Sequence, residues 1–271
     1  MAAVIAAGRA GAGAGTDSGR DLRVLSVAGV LGFFAIWQVL ASSGWFPPRY
    51  LPGPIAVTAT LYQLATTPYS GATLWGHLGA SLMRFGVGFA LAAGVGIPLG
   101  LLMGWYRWLD DIVTPFFEGL RFVAPIAWVP FAGLWFGTGI GGPTLVIFSG
   151  AFAPCLINAY RGAKFADKRL IEAARTLGAS GPRVVAEVLL PASIPSIVAG
   201  LRVSAGIAWQ SLIGAELIVV ASGVGYMMVQ AQLNVDTRIV MAGMVAIGAV
   251  GVVIDLLLRL LERAAQRHRQ A

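Results

Sequence analysis

The chain has 271 residues, 57% of them hydrophobic and 11% charged, with a formal net charge of +7 and a mean hydropathy of +0.78. Soluble domains carry about 25% charged residues, so this composition excludes an ordinary soluble domain. At about 20 residues per span, the length accommodates roughly five to seven bilayer crossings.

The basic excess reports topology in such a chain and is no argument for nucleic-acid binding. One cysteine, Cys155, and two distant histidines, His77 and His268, provide neither a disulfide framework nor a clustered metal site. The opening MAAVIAAGRAGAGAG is low-complexity, and residues 1–21 are expected to form a disordered cytoplasmic tail. The first apolar run, Val24 to Ala41, exceeds the 7–15 residues usual for a signal-peptide core and reads as an uncleaved span over 23–41. Turn signals follow at Pro47-Pro48 and Pro52-Gly53-Pro54, then a short interfacial helix over 55–65. Five more spans are expected over 81–105, 112–136, 143–160, 195–220 and 239–261. The expected fold is therefore an all-α polytopic membrane protein with six transmembrane helices over residues 22–263. A basic tail follows over 264–271.

Orientation follows from the placement of Lys and Arg. With the N-terminus inside, the inner loops and tails hold fourteen of the 19 Lys and Arg. The outer loops hold only Arg49 and Arg238, and Arg84, Arg121 and Arg202 lie in or at the edge of spans. Both termini are therefore placed in the cytoplasm. Gly96, Gly100 and Gly104 recur at the four-residue spacing that lets helix backbones approach closely. Pro98, Pro125 and Pro130 fall inside expected spans, where each removes a backbone donor and favours a kink.

The stretch EAARTLGASGPRVVAEVLLP, residues 172–191, interrupts this greasy pattern. Asp167 suits the N-cap of a helix starting at Lys168. Leu170, Ile171, Ala173, Ala174 and Leu177 then recur at helical spacing and form one apolar face. Gly178 is a natural C-terminal stop. Ser180 or Gly181 with Pro182 opens a second short helix, expected to end at Pro191. A rigid helix–elbow–helix unit with small residues at its tip suits insertion into a groove on another protein.

Ionisable groups inside spans are pathway candidates by default. Glu118 and Arg121 are three apart and can pair on one helix face. Arg84 has two readings, snorkelling to the outer headgroups or attracting anions. Arg202 reads as an anchor at the cytoplasmic edge. The fifth span concentrates Ser204, Trp209, Gln210, Ser211 and Glu216. Arg121, Trp209, Gln210, Ser211 and Glu216 are the candidates to line a translocation pathway. The only lysines, Lys164 and Lys168, follow no glycine, so no G-x-x-x-x-G-K-[ST] phosphate loop is present. No G-x-S-x-G or H-E-x-x-H pattern that would carry hydrolytic chemistry stands out either.

Glu172-Ala173-Ala174, Gly178, Val188, Leu190 and Pro191 resemble the EAA loop of bacterial ABC importer permeases, with Val where Ile is more usual. Several short motifs are similar to the sulfonate, taurine and nitrate branch. They are Leu51-Pro52-Gly53-Pro54, Ser81-Leu82-Met83-Arg84, Gly96-Ile97-Pro98-Leu99-Gly100, Trp128-Val129-Pro130, Leu134-Trp135-Phe136-Gly137, and Ala215-Glu216 followed by Gly223-Val224-Gly225-Tyr226.

The resemblance implies a type I importer permease in the bacterial cytoplasmic membrane, working as a homodimer. Residues 161–194 would be the coupling loop, with Asp167, Leu170, Glu172, Ala173, Ala174, Leu177, Gly178 and Ala179 meeting a separate cytoplasmic ATPase. Two ATPase copies would bind ATP and Mg, this chain would carry no cofactor, and an external solute-binding protein would deliver a small anion. Residues 222–226 resemble an outer gate loop. Two alternatives stay open. One is the same machinery serving a pyrimidine-like precursor. The other is an ion-gradient-driven secondary transporter, which would want a buried acidic or histidine relay or paired broken helices.

Overall fold

The structure, a computed structural model, describes residues 18–267 apart from 46, 48, 138 and 219. Residues 1–17 and 268–271 of the two expected tails lie outside the described residues. Among the described residues the chain is helical: α1 Ser18–Ser42, α2 Pro54–Thr66, α3 Leu74–Trp105 and α4 Arg107–Leu120. A 3-10 turn, Pro125–Trp128, leads to α5 Val129–Phe136 and then α6 Gly141–Lys164. The insert holds α7 Lys168–Thr176 and α8 Gly181–Val184, followed by a π turn Val185–Leu189, α9 Leu190–Glu216, α10 Val224–Leu233 and α11 Thr237–Arg267.

Four helical stretches among the described residues are long and apolar enough to cross a membrane, and a bent pair makes a fifth. The apolar stretch described in α1, Val27–Ser42, is shorter. The expected span over 112–136 is not one straight helix: α4 and the segment Pro125–Phe136 meet at 86°. Pro125 explains the break. Its ring disfavours helical geometry at the preceding residue, and Ala124 is extended at φ −59°, ψ 139°. Pro98, by contrast, lies within a continuous α3, and Pro130 sits in the first turn of α5, where no amide is needed.

A second correction concerns Pro191. The second helix of the insert does not stop there but runs on through the π turn into α9, giving one stretch from Gly181 to Glu216. The wider π turn just upstream relieves the clash between a proline ring and the carbonyl four residues back.

Three helices form the centre. α6 packs between α3 and α9 and is the most enclosed span, with half of its apolar window buried. In lipid there is little hydrophobic drive between helices, so close packing has to hold them together. Gly88, Ala92, Gly96, Gly100 and Gly104 are one continuous stripe of small residues on α3 facing α6. It is two positions longer than the sequence pattern suggested. On the other face of α6, Gly200 of α9 lies against Asn158, and the Ser204 hydroxyl donates to the Ala151 carbonyl. At one end α2, α3, α10 and α11 enclose a core of Val57, Leu64, Leu78, Val224, Met227 and Ala242. The helix expected to lie at the interface is thus partly buried. α11 is joined to α9 by Trp209, whose indole N–H donates to the Ile247 carbonyl at 3.1 Å.

Candidate functional site

The insert folds as its capping residues dictate. The Asp167 carboxylate accepts the Arg169 amide at 2.9 Å, capping α7. At the far end Gly178 stands at φ +81°. The Gly178 amide reaches the Arg175 carbonyl at 2.9 Å and the Ala179 amide reaches Ala174 at 3.0 Å. Both bonds belong to a Schellman closure, which needs a left-handed residue at Gly178. The expected apolar face is split by the structure. Ile171 and Ala174 turn inward, with Ile171 against the cluster that contains Trp105 and Leu189. Leu170, Glu172, Ala173 and Leu177 are exposed, Leu177 at 87%. A leucine so exposed at the tip of a capped helix is a ready contact for a partner.

Arg121 caps the C-terminal end of α4 at the break in the bent pair. It pairs with Glu118 at 2.7 Å, as the three-residue spacing predicted, and lies 4.9 Å from the centre of the Phe122 ring. It rims a cavity of about 270 Å³ walled by Phe116, Phe117, Trp128, Phe148 and Phe152.

Glu216 lies in a different setting. It is 1% exposed. Its carboxylate accepts the Ser81 hydroxyl at 2.8 Å, Arg84 Nη1 at 2.9 Å and the Gly225 amide at 3.1 Å. Arg84 also donates to the Ser222 carbonyl and hydroxyl. The Val224 amide donates to Ser81 Oγ at 3.1 Å, and the Gly223 amide to His77 Nδ1 at 3.3 Å. With Nδ1 accepting, the His77 proton sits on Nε2 and donates to the Tyr69 carbonyl at 2.9 Å. Arg84 is therefore not a snorkelling residue: it is 7% exposed and paired. A desolvated arginine in this setting requires a carboxylate partner. The knot binds the turn 222–225 to α3 and α9.

The remaining pathway candidates separate. Trp209 is buried and bonded to α11, and Ser211 donates to the Ile207 carbonyl at 2.7 Å. Gln210 is exposed on α9. Ser81, His77 and Ser222 were not singled out as members of the knot around Glu216 and Arg84. Their signal was present, since His77, Ser81 and Arg84 fall on one face of a helix that is otherwise apolar.

Residues 96–267 match the family model described as "Binding-protein-dependent transport system inner membrane component". The chain belongs to this family. It is similar to the putative aliphatic sulfonates transport permease protein SsuC of Bacillus subtilis (strain 168), 37% identical, covering 88% of this chain and 84% of that protein. It is 35% identical to the taurine transport system permease protein TauC of Escherichia coli (strain K12), covering 88% of this chain and 87% of that protein. It is also 35% identical to the bicarbonate transport system permease protein CmpB of Synechococcus elongatus, covering 89% and 88%. Among solved structures, a chain of the inward-facing MetNI methionine ABC transporter shares the fold. The TM-score is 0.56 at 19% identity, over 71% of this chain and 94% of that one.

The permease is thus a non-catalytic, multi-pass subunit of an ABC importer, whose ATPase is a separate partner. The importer architecture implies a solute-binding protein as a second partner.

Proposed function

We propose that this permease works as a homodimer in the bacterial cytoplasmic membrane and takes up a small anion of the sulfonate, taurine, nitrate or bicarbonate kind. Both termini and the insert face the cytoplasm. Each insert docks in a cleft of one of two ATPase copies, which bind ATP and Mg. A solute-binding protein delivers the substrate from outside.

The observation that carries this reading is α7: capped at Asp167, closed at Gly178, and exposing Leu170, Glu172, Ala173 and Leu177 on the side away from the bundle. Relatives named for sulfonate, taurine and bicarbonate transport support the substrate class. The cavity it rims supports Arg121 as a pathway candidate, and its exposure on α9 keeps Gln210 as a second. Trp209, Ser211 and Glu216 serve packing and loop placement.

Glu172→Lys is expected to lower recovery of the ATPase with the tagged permease from mild detergent. Undiminished recovery would remove Glu172 from the docking surface. Gly178→Val forces a β-branched residue into the left-handed region at a cost of about 1–2 kcal/mol. That change should leave membrane insertion intact and abolish coupled turnover; wild-type uptake would count against the elbow's role. A cysteine at Arg175 should react with an impermeant thiol reagent only from the cytoplasmic side. Labelling in intact cells would reverse the topology.

A further inference from the structure

α7 is joined to α6 by Phe165–Asp167, a short stretch outside helical structure. Phe165 is 80% exposed. Such a linker transmits a pull, but a push needs a packed contact. Behind α7 lie the π turn Val185–Leu189 and Trp105, the last residue of α3. The Arg175 guanidinium lies 5.4 Å from the centre of the Trp105 ring. Ile171, on the same inward side, packs into the same cluster as Trp105.

What stands behind Trp105 is rigid. A Cβ on Gly104 would fall onto that of Ala163, so α3 and α6 are in backbone contact at this end. Asp110 of α4 ties the next helix to α6 as well, accepting the Tyr160 hydroxyl at 2.6 Å and Lys164 Nζ at 3.1 Å. An aromatic ring at the end of a zipped helix pair, with a cation on its face, forms a bearing surface.

We infer that Trp105 is the seat through which the coupling helix drives α3 and α6, a positioning residue for transport that acts through its contact with Arg175 and the cluster it shares with Ile171. This inference rests on the docking role proposed for α7. The alternative routes, through the covalent linker to α6 and through the elbow and π turn into α9, need no side chain at position 105.

The test uses the purified permease with its co-purifying ATPase and a reporter cysteine, Ser149→Cys, on α6 beside the cavity. The thiol-labelling rate is measured without nucleotide and after trapping with ATP, Mg and vanadate. The otherwise unmodified reporter complex should show a nucleotide-driven change in rate. Trp105→Phe keeps a ring face and should preserve that change. Trp105→Ala should retain the ATPase and its hydrolysis while abolishing the change. Arg175→Gln removes only the cation on the ring and should reduce the response by about two- to fivefold. An undiminished response in Trp105→Ala would overturn the inference. So would loss of the ATPase from that variant, because Trp105 would then belong to docking and not to transmission. If no ATPase accompanies even the unmodified chain, the docking role of α7 fails instead.

Discussion

Glu216→Ala is expected to destabilise the permease more than any other single change of a polar side chain. It removes the partner of Arg84, which is buried and ion-paired at 2.9 Å, and leaves a cation without compensation in a low-dielectric site. Breaking such a pair from one side costs about 3–5 kcal/mol. It also strands the Ser81 hydroxyl and the Gly225 amide, which both point at the lost carboxylate. The measurement is thermal unfolding in detergent for Glu216→Ala, Arg84→Met and the double variant. The double variant should lose clearly less than the sum of the two single losses, because removing both charges removes the uncompensated one. Additive losses would mean that the two side chains do not depend on each other.

Gly223→Ala should approach the same phenotype by a different route. Gly223 stands at φ +109°, and a Cβ there would fall onto the Glu216 carboxylate. Glu216→Gln separates a clamp from a transport ligand. A clamp loses stability together with uptake, whereas a pathway ligand would lose uptake from a protein that unfolds at the wild-type temperature.

How far the chain discloses itself depends on how local each feature is. Asp167 and Gly178 were legible because a cap and a left-handed stop act within a few residues of themselves. The Gly96–Gly100–Gly104 stripe was legible for the same reason, since its spacing is set by one helix. The Glu118–Arg121 pair also lies within one turn and was found.

The knot at Glu216 was not legible, because Arg84 meets its carboxylate across 132 positions of sequence. The error at Arg84 has a further cause. With the second span expected to begin at residue 81, Arg84 fell beside the headgroups. The Thr73 side chain instead caps a helix that starts at Leu74, which sets Arg84 deeper within α3. The split of the apolar face of α7 was equally hidden. Helical spacing shows that Leu170, Ile171, Ala173, Ala174 and Leu177 share a side, but only the cluster around Trp105, Val185 and Leu189 decides which of them turn inward.

Gly100→Leu is expected to separate α3 from α6. A Cβ on Gly100 would fall onto the Leu156 carbonyl oxygen, 2.9 Å from the Ala159 Cβ and 2.9 Å from the Tyr160 nitrogen. Two of those three atoms are backbone, so no rotamer change can make room and the helices themselves must move. Overpacking a tight core costs about 1–3 kcal/mol. The cost here should lie at the upper end or above, because the small-residue contact is what draws these helices together in lipid.

Gly94→Ala is the control on the same helix. It adds a methyl where nothing lies within 4 Å and should gain about 1 kcal/mol from helix propensity. Two glycines of one helix should therefore respond in opposite directions, and thermal unfolding of both variants reads the difference. If Gly100→Leu unfolds at the wild-type temperature, α3 and α6 are not in backbone contact. The rigid support assigned to Trp105 would lose its foundation with them, since Gly104 belongs to the same stripe.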